Sequence, residues 1–143
     1  MIPLILPRSI DRSIRLAAKA AYPCEMYAVL LGEIGASVRV RDVWFPEMQP
    51  HEGWTHHLFS RADLLDDGLA IADSAGLCLV ADVHSHPRVR TCEPSEADWA
   101  GVPVGWIHGV CAVRKTRAGM RTALKFWPSI EVVETIINGE ALR

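Results

Sequence analysis

The 143-residue chain is half hydrophobic and sets 15 Lys+Arg against 17 Asp+Glu, a formal net charge of −2. That is enough apolar material for one domain with its own core and too little length for two, so a single unit over residues 1–143 is expected. A near-balance of charge without a basic stripe argues against nucleic-acid binding, whose affinity rests on neutralising phosphates.

The apolar start MIPLILPRS holds prolines at 3 and 7 and no preceding basic segment, so it does not resemble a secretory signal. No apolar run reaches the roughly 18–20 residues of a membrane span. A soluble cytoplasmic protein with no membrane partner is therefore expected. Ser9 is a good N-cap, and it opens a predicted helix over 9–21. Ile10, Ile14, Ala17, Ala18 and Ala21 recur on one face of that helix, and Pro23 ends it.

Residues 26–31 read as a buried strand, 32–37 as a turn, and 38–44 alternate as a half-buried strand should. Residues 46–54 read as a loop, with a short strand expected near 57–59. The second helix is predicted over 61–75, with Leu64, Leu65, Leu69 and Ala72 on its apolar face and Gly76 as its C′ residue. Residues 77–83 form a nearly continuous apolar run, as in a central strand covered on both faces. A hairpin follows, 109–114 and 121–127, turning across 116–119. The only basic cluster, Arg114 to Arg121, is broken by Thr116, Ala118 and Gly119 and belongs to that turn. The tail, 130–137, fits strand or helix, with strand preferred. With no repeat, low-complexity tract or linker, the pattern predicts an α+β domain, a mixed sheet with helices packed on it.

The four cysteines, at 24, 78, 92 and 111, contain no CxxC pair, which excludes a zinc ribbon. Free thiols are the expectation in a reducing compartment, with a Cys92–Cys111 disulfide left open.

The segment that carries chemistry is Val83-His84-Ser85-His86-Pro87, followed by Pro94-Ser95-Glu96-Ala97-Asp98. Residues two apart on a strand share a face, so both imidazoles can reach one ion. Pro87 turns the chain away, and Pro94-Ser95 starts a helix whose first turn carries Asp98. Two His and one Asp make three ligands, and a tetrahedral zinc would keep its fourth position for water, the mark of a catalytic rather than a structural site. Such a site needs a general base, and Glu25 is the candidate. It sits at the mouth of an apolar strand, a costly place for a carboxylate without a partner or purpose.

Each piece alone has a plain structural reading. His-x-His at a strand end is often a surface pair, Ser95-x-x-Asp98 is the pattern of an ordinary helix cap, and Glu25 fits a solvated strand edge. His56 and His57 point oppositely on a strand and read as surface residues, and His108 reads as structural. Trp99 and Trp106 fit core packing better than a substrate groove.

Taken together, these motifs resemble the JAMM/MPN (Mov34/JAB-type) metalloprotease family: an early Glu (Glu25 in YPCEMYAVLLG), His-Ser-His-Pro (84–87) and Ser-x-x-Asp (95–98). The resemblance spans about residues 8 to 127 and implies the MPN fold, related to that of cytidine deaminases. It implies one zinc held by His84, His86 and Asp98, with Glu25 activating water and Ser95 hydrogen-bonding the oxyanion. The implied reaction is hydrolysis of the bond after the C-terminal glycine of a ubiquitin-like protein or its conjugate. E1-like and E2-like enzymes are implied partners, in a conjugation or antiphage system. Processing of a sulfur-carrier protein, or a non-catalytic MPN scaffold, are the alternatives. Eleven residues separate His86 from Asp98, one more than is usual in the family, an expected bulge in the loop RVRTCEP. A zinc nucleobase deaminase is disfavoured, because its His-x-Glu and Cys-x-x-Cys are missing.

Overall fold

The computed structural model describes residues 3–47, 61–87, 92–99, 106–128 and 135–136. Its elements are β1 (Leu4–Ile5), α1 (Arg8–Ala21), β2 (Tyr27–Ile34), β3 (Val38–Trp44), α2 (Arg61–Ala75), β4 (Cys78–Pro87), α3 (Glu96–Trp99), β5 (Ile107–Thr116), β6 (Gly119–Pro128) and β7 (Thr135–Ile136). The strands form one mixed sheet in the order β6-β5-β4-β2-β3-β1-β7. β4 is central, antiparallel to β2 and parallel to β5. A parallel neighbour requires a crossover, and the β4–β5 crossover contains α3. The architecture is the expected α+β one.

The two helices lie on opposite faces of the sheet. Ile10, Ile14 and Ala18 of α1 pack against Ala28 and Leu30 of β2, Val38 and Val40 of β3, Val83 of β4, and Cys111 and Val113 of β5. Ala72 of α2 packs against Tyr27, Val29 and Leu31 on the other face. Burying side chains of this size stabilises by about 1.5–3 kcal/mol each, so the α1 face is the larger anchor. Arg15 ties α1 to the sheet, ion-paired with Asp11 at 3.0 Å while its Nη1 donates to the Thr122 carbonyl at 3.1 Å.

Several boundaries differ from expectation, each for a local reason. α1 starts at Arg8, with Pro7 in the cap position, so Ser9 is not the N-cap. The Pro7 carbonyl accepts from Ile10 and Asp11, and the fixed φ of proline suits that entry. β1 lay hidden between two prolines, and it pairs in parallel with β3 and β7 through only two residues. β2 continues through Gly32 to Ile34 where a turn was expected. A bulge opposite Leu31 and Gly32 makes this possible, because β3 contributes an extra residue there.

A Cβ on Gly32 would lie 1.9 Å from the Arg39 carbonyl oxygen, which is backbone and cannot yield. Gly32→Ala is thus expected to destabilise by at least about 3 kcal/mol, read as a lower urea midpoint with unchanged m-value.

α2 has the predicted bounds, and Gly76 takes the C′ place with φ +68°. Leu77 N–H reaches the Ala72 carbonyl at 2.9 Å and Gly76 N–H the Asp73 carbonyl at 3.1 Å, the Schellman pattern. Leu69 is exposed, not part of the apolar face. The helix instead approaches the sheet through Gly68, whose place a Cβ would fill 3.1 Å from Val29 and 3.3 Å from Leu79.

The hairpin is longer than predicted and turns tightly, Thr116 pairing with Gly119. The tail strand is seen at β7, while the strand expected at 57–59, the loop at 48–54 and His56 and His57 lie outside the described residues. Cys78, Cys92 and Cys111 are free thiols. Cys111 points into the α1-side cluster, whereas Cys92 packs on Val110 and Ala112, its strand neighbours on the opposite face. A sheet thus separates the two thiols, and burial pushes the Cys111 thiol up to about 12, which leaves it unreactive. No helix among the described residues is long and apolar enough to cross a membrane.

Candidate metal centre

β4 places the histidines. Val83 is buried in the α1-side core, so by alternation Asp82, His84 and His86 project from the other face. The strand runs to Pro87, the residue expected to stop it, and its far half pairs in parallel with β5: His84 opposite Val110 and His86 opposite Ala112. Ser85, between them, faces inward and is fully buried. Its Oγ accepts the Met26 N–H at 2.7 Å, and its own N–H donates to the Met26 carbonyl at 2.9 Å. This double clamp fixes the start of β2 to the histidine pair. Glu25 is the residue immediately before the clamp and is half-buried.

The chain returns Asp98 to the same place. After β4, Cys92 is held to the hairpin: its Sγ donates to the Ala123 carbonyl at 3.2 Å, and Trp127 Nε1 donates to the Cys92 carbonyl at 2.7 Å. Of the loop RVRTCEP expected to carry the extra residue, 88–91 lie outside the described residues. From Cys92 the path to α3 is short. Ser95 caps that helix in the reciprocal manner its spacing suggested, its Oγ accepting the Asp98 N–H at 3.2 Å while its own N–H donates to Asp98 Oδ2 at 2.6 Å.

The cap and ligand readings of Asp98 prove compatible. The same carboxylate meets His84 Nε2 with Oδ1 and His86 Nε2 with Oδ2, each at 3.3 Å. His84, His86 and Asp98 are, among the described residues, the group that could hold a metal ion, with ligand atoms within 4.8 Å of one another. Burial works to raise the Asp98 carboxyl. The two imidazoles and the Ser95 N–H outweigh it and hold the group well below the ordinary carboxylate range. Asp98 is thus a carboxylate at any physiological pH.

Three observations fit a cation to this cradle. His84 Nε2 is buried and makes no hydrogen bond, although Asp98 Oδ1 stands only 3.3 Å away. Ligand atoms bound at about 2.0–2.1 Å to a tetrahedral ion lie roughly 3.3 Å apart, and each imidazole Nε2 stands 3.3 Å from one of the two Asp98 carboxylate oxygens. Two imidazoles with one carboxylate are also a donor set that suits zinc and leaves a coordination position open.

Behind His84 lies a polar network that sequence reasoning passed over. Asp82 and His108, both essentially inaccessible, sit opposite each other on β4 and β5. Asp82 Oδ1 meets His108 Nδ1 at 2.5 Å, and His108 Nε2 meets His84 Nδ1 at 2.7 Å. Tyr27 Oη donates to Asp82 Oδ2 at 2.7 Å and Trp106 Nε1 to Oδ1 at 2.9 Å. Trp106 is half-buried and adds a polar anchor to the core packing expected of it. The available signal was Asp82 itself, a charge in an apolar strand two residues before His84 and on the same face.

A family model described as prokaryotic homologs of the JAB domain matches residues 7–128. No curated protein matches the chain. Among solved structures, a Salinibacter ruber protein is similar at 27% identity and TM-score 0.65, over 96% of this chain and 91% of that one. A Desulfitobacterium hafniense protein is similar at 15% identity and TM-score 0.66, over 94% and 92%. A JAB1/MPN domain protein from Archaeoglobus fulgidus shares the fold at 20% identity and TM-score 0.55, over 94% and 99%. With the mixed sheet, its two flanking helices and the His-His-Asp cradle in place, the match over most of its length makes this chain a member of the prokaryotic JAB/MPN family.

Proposed function

We propose that the chain is a JAMM-type zinc peptidase or isopeptidase that cleaves after the C-terminal glycine of a ubiquitin-like protein, in the cytoplasm and alongside E1-like and E2-like conjugation enzymes. The observation that carries the reading is the convergence of His84, His86 and Asp98, with ligand atoms within 4.8 Å of one another. Bound zinc supplies Lewis acidity and lowers the pKa of a water toward about 7.

The protein's own residues do the rest. Asp98 offsets the cation's charge while its backbone and Ser95 lock its orientation. Glu25, at the Met26–Ser85 clamp, accepts the proton of the attacking water and delivers it to the departing amine. Ser95 uses its Oγ lone pair for the cap, which leaves its O–H to donate to the developing oxyanion.

The test is incubation of the zinc-loaded chain with a ubiquitin-like protein fused through its C-terminal glycine to a reporter. Cleavage at that glycine, abolished by chelation and restored by zinc, is expected. An intact fusion in the presence of a fully zinc-loaded chain, across ubiquitin-like proteins including any encoded beside it, would refute the proposed substrate class.

A further inference from the structure

Either nitrogen of an imidazole can bind a metal, and which one does so is set by where the ring's other proton goes. At His84 the surroundings make that choice. An ionised Asp82 only accepts, so the proton between it and His108 sits on His108 Nδ1. Where that is the ring's one proton, His108 presents a lone pair at Nε2, and the 2.7 Å contact with His84 Nδ1 is a hydrogen bond only if His84 carries its proton on Nδ1. His84 Nε2 is left with its lone pair directed to the side where Asp98 Oδ1 stands. The His84 and His108 ring planes lie within 24° of each other, a geometry compatible with a bond made near both ring planes.

We propose that His108, oriented by Asp82, is a positioning residue that fixes the Nδ1–H form of His84 and makes Nε2 its metal-donor atom. The proposal rests on the zinc reading above. Asp82 is itself held by Tyr27 and Trp106, so the chain of orientation starts on β2 and at the head of β5 and ends at the metal. The arrangement is asymmetric. Among the described residues it backs His84, whereas His86 meets Asp98 through Nε2 at the outer end of the strand.

Zinc affinity, measured by competition with a chromogenic chelator, tests this in the full chain and in Asp82→Ala, His108→Leu and His108→Gln. The first two variants are expected to bind zinc roughly 10–100-fold more weakly. His108→Gln is expected to retain most of the affinity, because a carboxamide oxygen can still accept from His84 Nδ1–H. A second readout needs no variant, should a buried change cost the fold. Long-range 1H–15N spectra of the zinc-loaded wild-type protein should place the His84 proton on Nδ1 and the metal on Nε2. Metal on Nδ1, or undiminished affinity in Asp82→Ala and His108→Leu, would overturn the positioning role and leave the metal centre standing. A wild-type chain that takes up no zinc overturns the zinc reading, and this inference with it.

Discussion

Asp98→Ala is expected to strip the protein of metal and of activity together. Asp98 is the anionic member of the triad, and its carboxylate bridges both histidines at 3.3 Å. Removing it leaves two neutral imidazoles on one strand, so zinc affinity should fall by more than the roughly 10–100-fold that loss of an outer partner costs. The same substitution also removes the acceptor of the Ser95 N–H and so half of the helix cap, worth on the order of 1 kcal/mol. Asp98→Asn separates the two effects. An amide can still accept from Ser95, so the cap should survive while the charge is lost. Chelator competition and a thermal melt read the two quantities independently. Nearly full zinc affinity in Asp98→Ala would mean that the ion, if bound, is held elsewhere.

Glu25→Gln should do the opposite, leaving metal and fold in place while cleavage falls by about 10²- to 10⁴-fold. At 1.36 kcal/mol per tenfold, that is roughly 3–5 kcal/mol of transition-state stabilisation. The substitution is close to isosteric, and the clamp beside it is made by Met26 backbone and Ser85, which the change does not touch. Zinc content and melting temperature should therefore match the wild type, while kcat collapses at unchanged KM. Cleavage within a few-fold of wild type would remove Glu25 from the base role.

The site was more legible in the sequence than its surroundings. His84 and His86 follow from strand periodicity alone, and Asp98 from a proline-bounded return, since these are local rules. The Ser95–Asp98 spacing could be read as a cap or as a ligand, and three-dimensional packing allows both at once. What escaped were features set by long-range pairing. β1 is two residues long and exists because β3 and β7 accept it. The parallel pairing of β4 with β5, which sets His84 opposite Val110, is announced by no local pattern. His108 illustrates the same limit. Its role depends on lying opposite Asp82, a register that only the folded sheet creates, so in sequence it looked merely structural. Leu69 failed for a different reason: the contact face of α2 is centred on Gly68, where a missing side chain marks close approach and a hydrophobicity pattern is blind to it.

Zinc is central to this account, and the direct measurement is elemental analysis of the chain after zinc loading and exhaustive desalting, alongside a His84→Ala, His86→Ala double variant. About one zinc per wild-type chain is expected, as three ligands and one open position require, and essentially none in the variant. A folded wild-type chain that retains no zinc, or a double variant that retains as much, would contradict it.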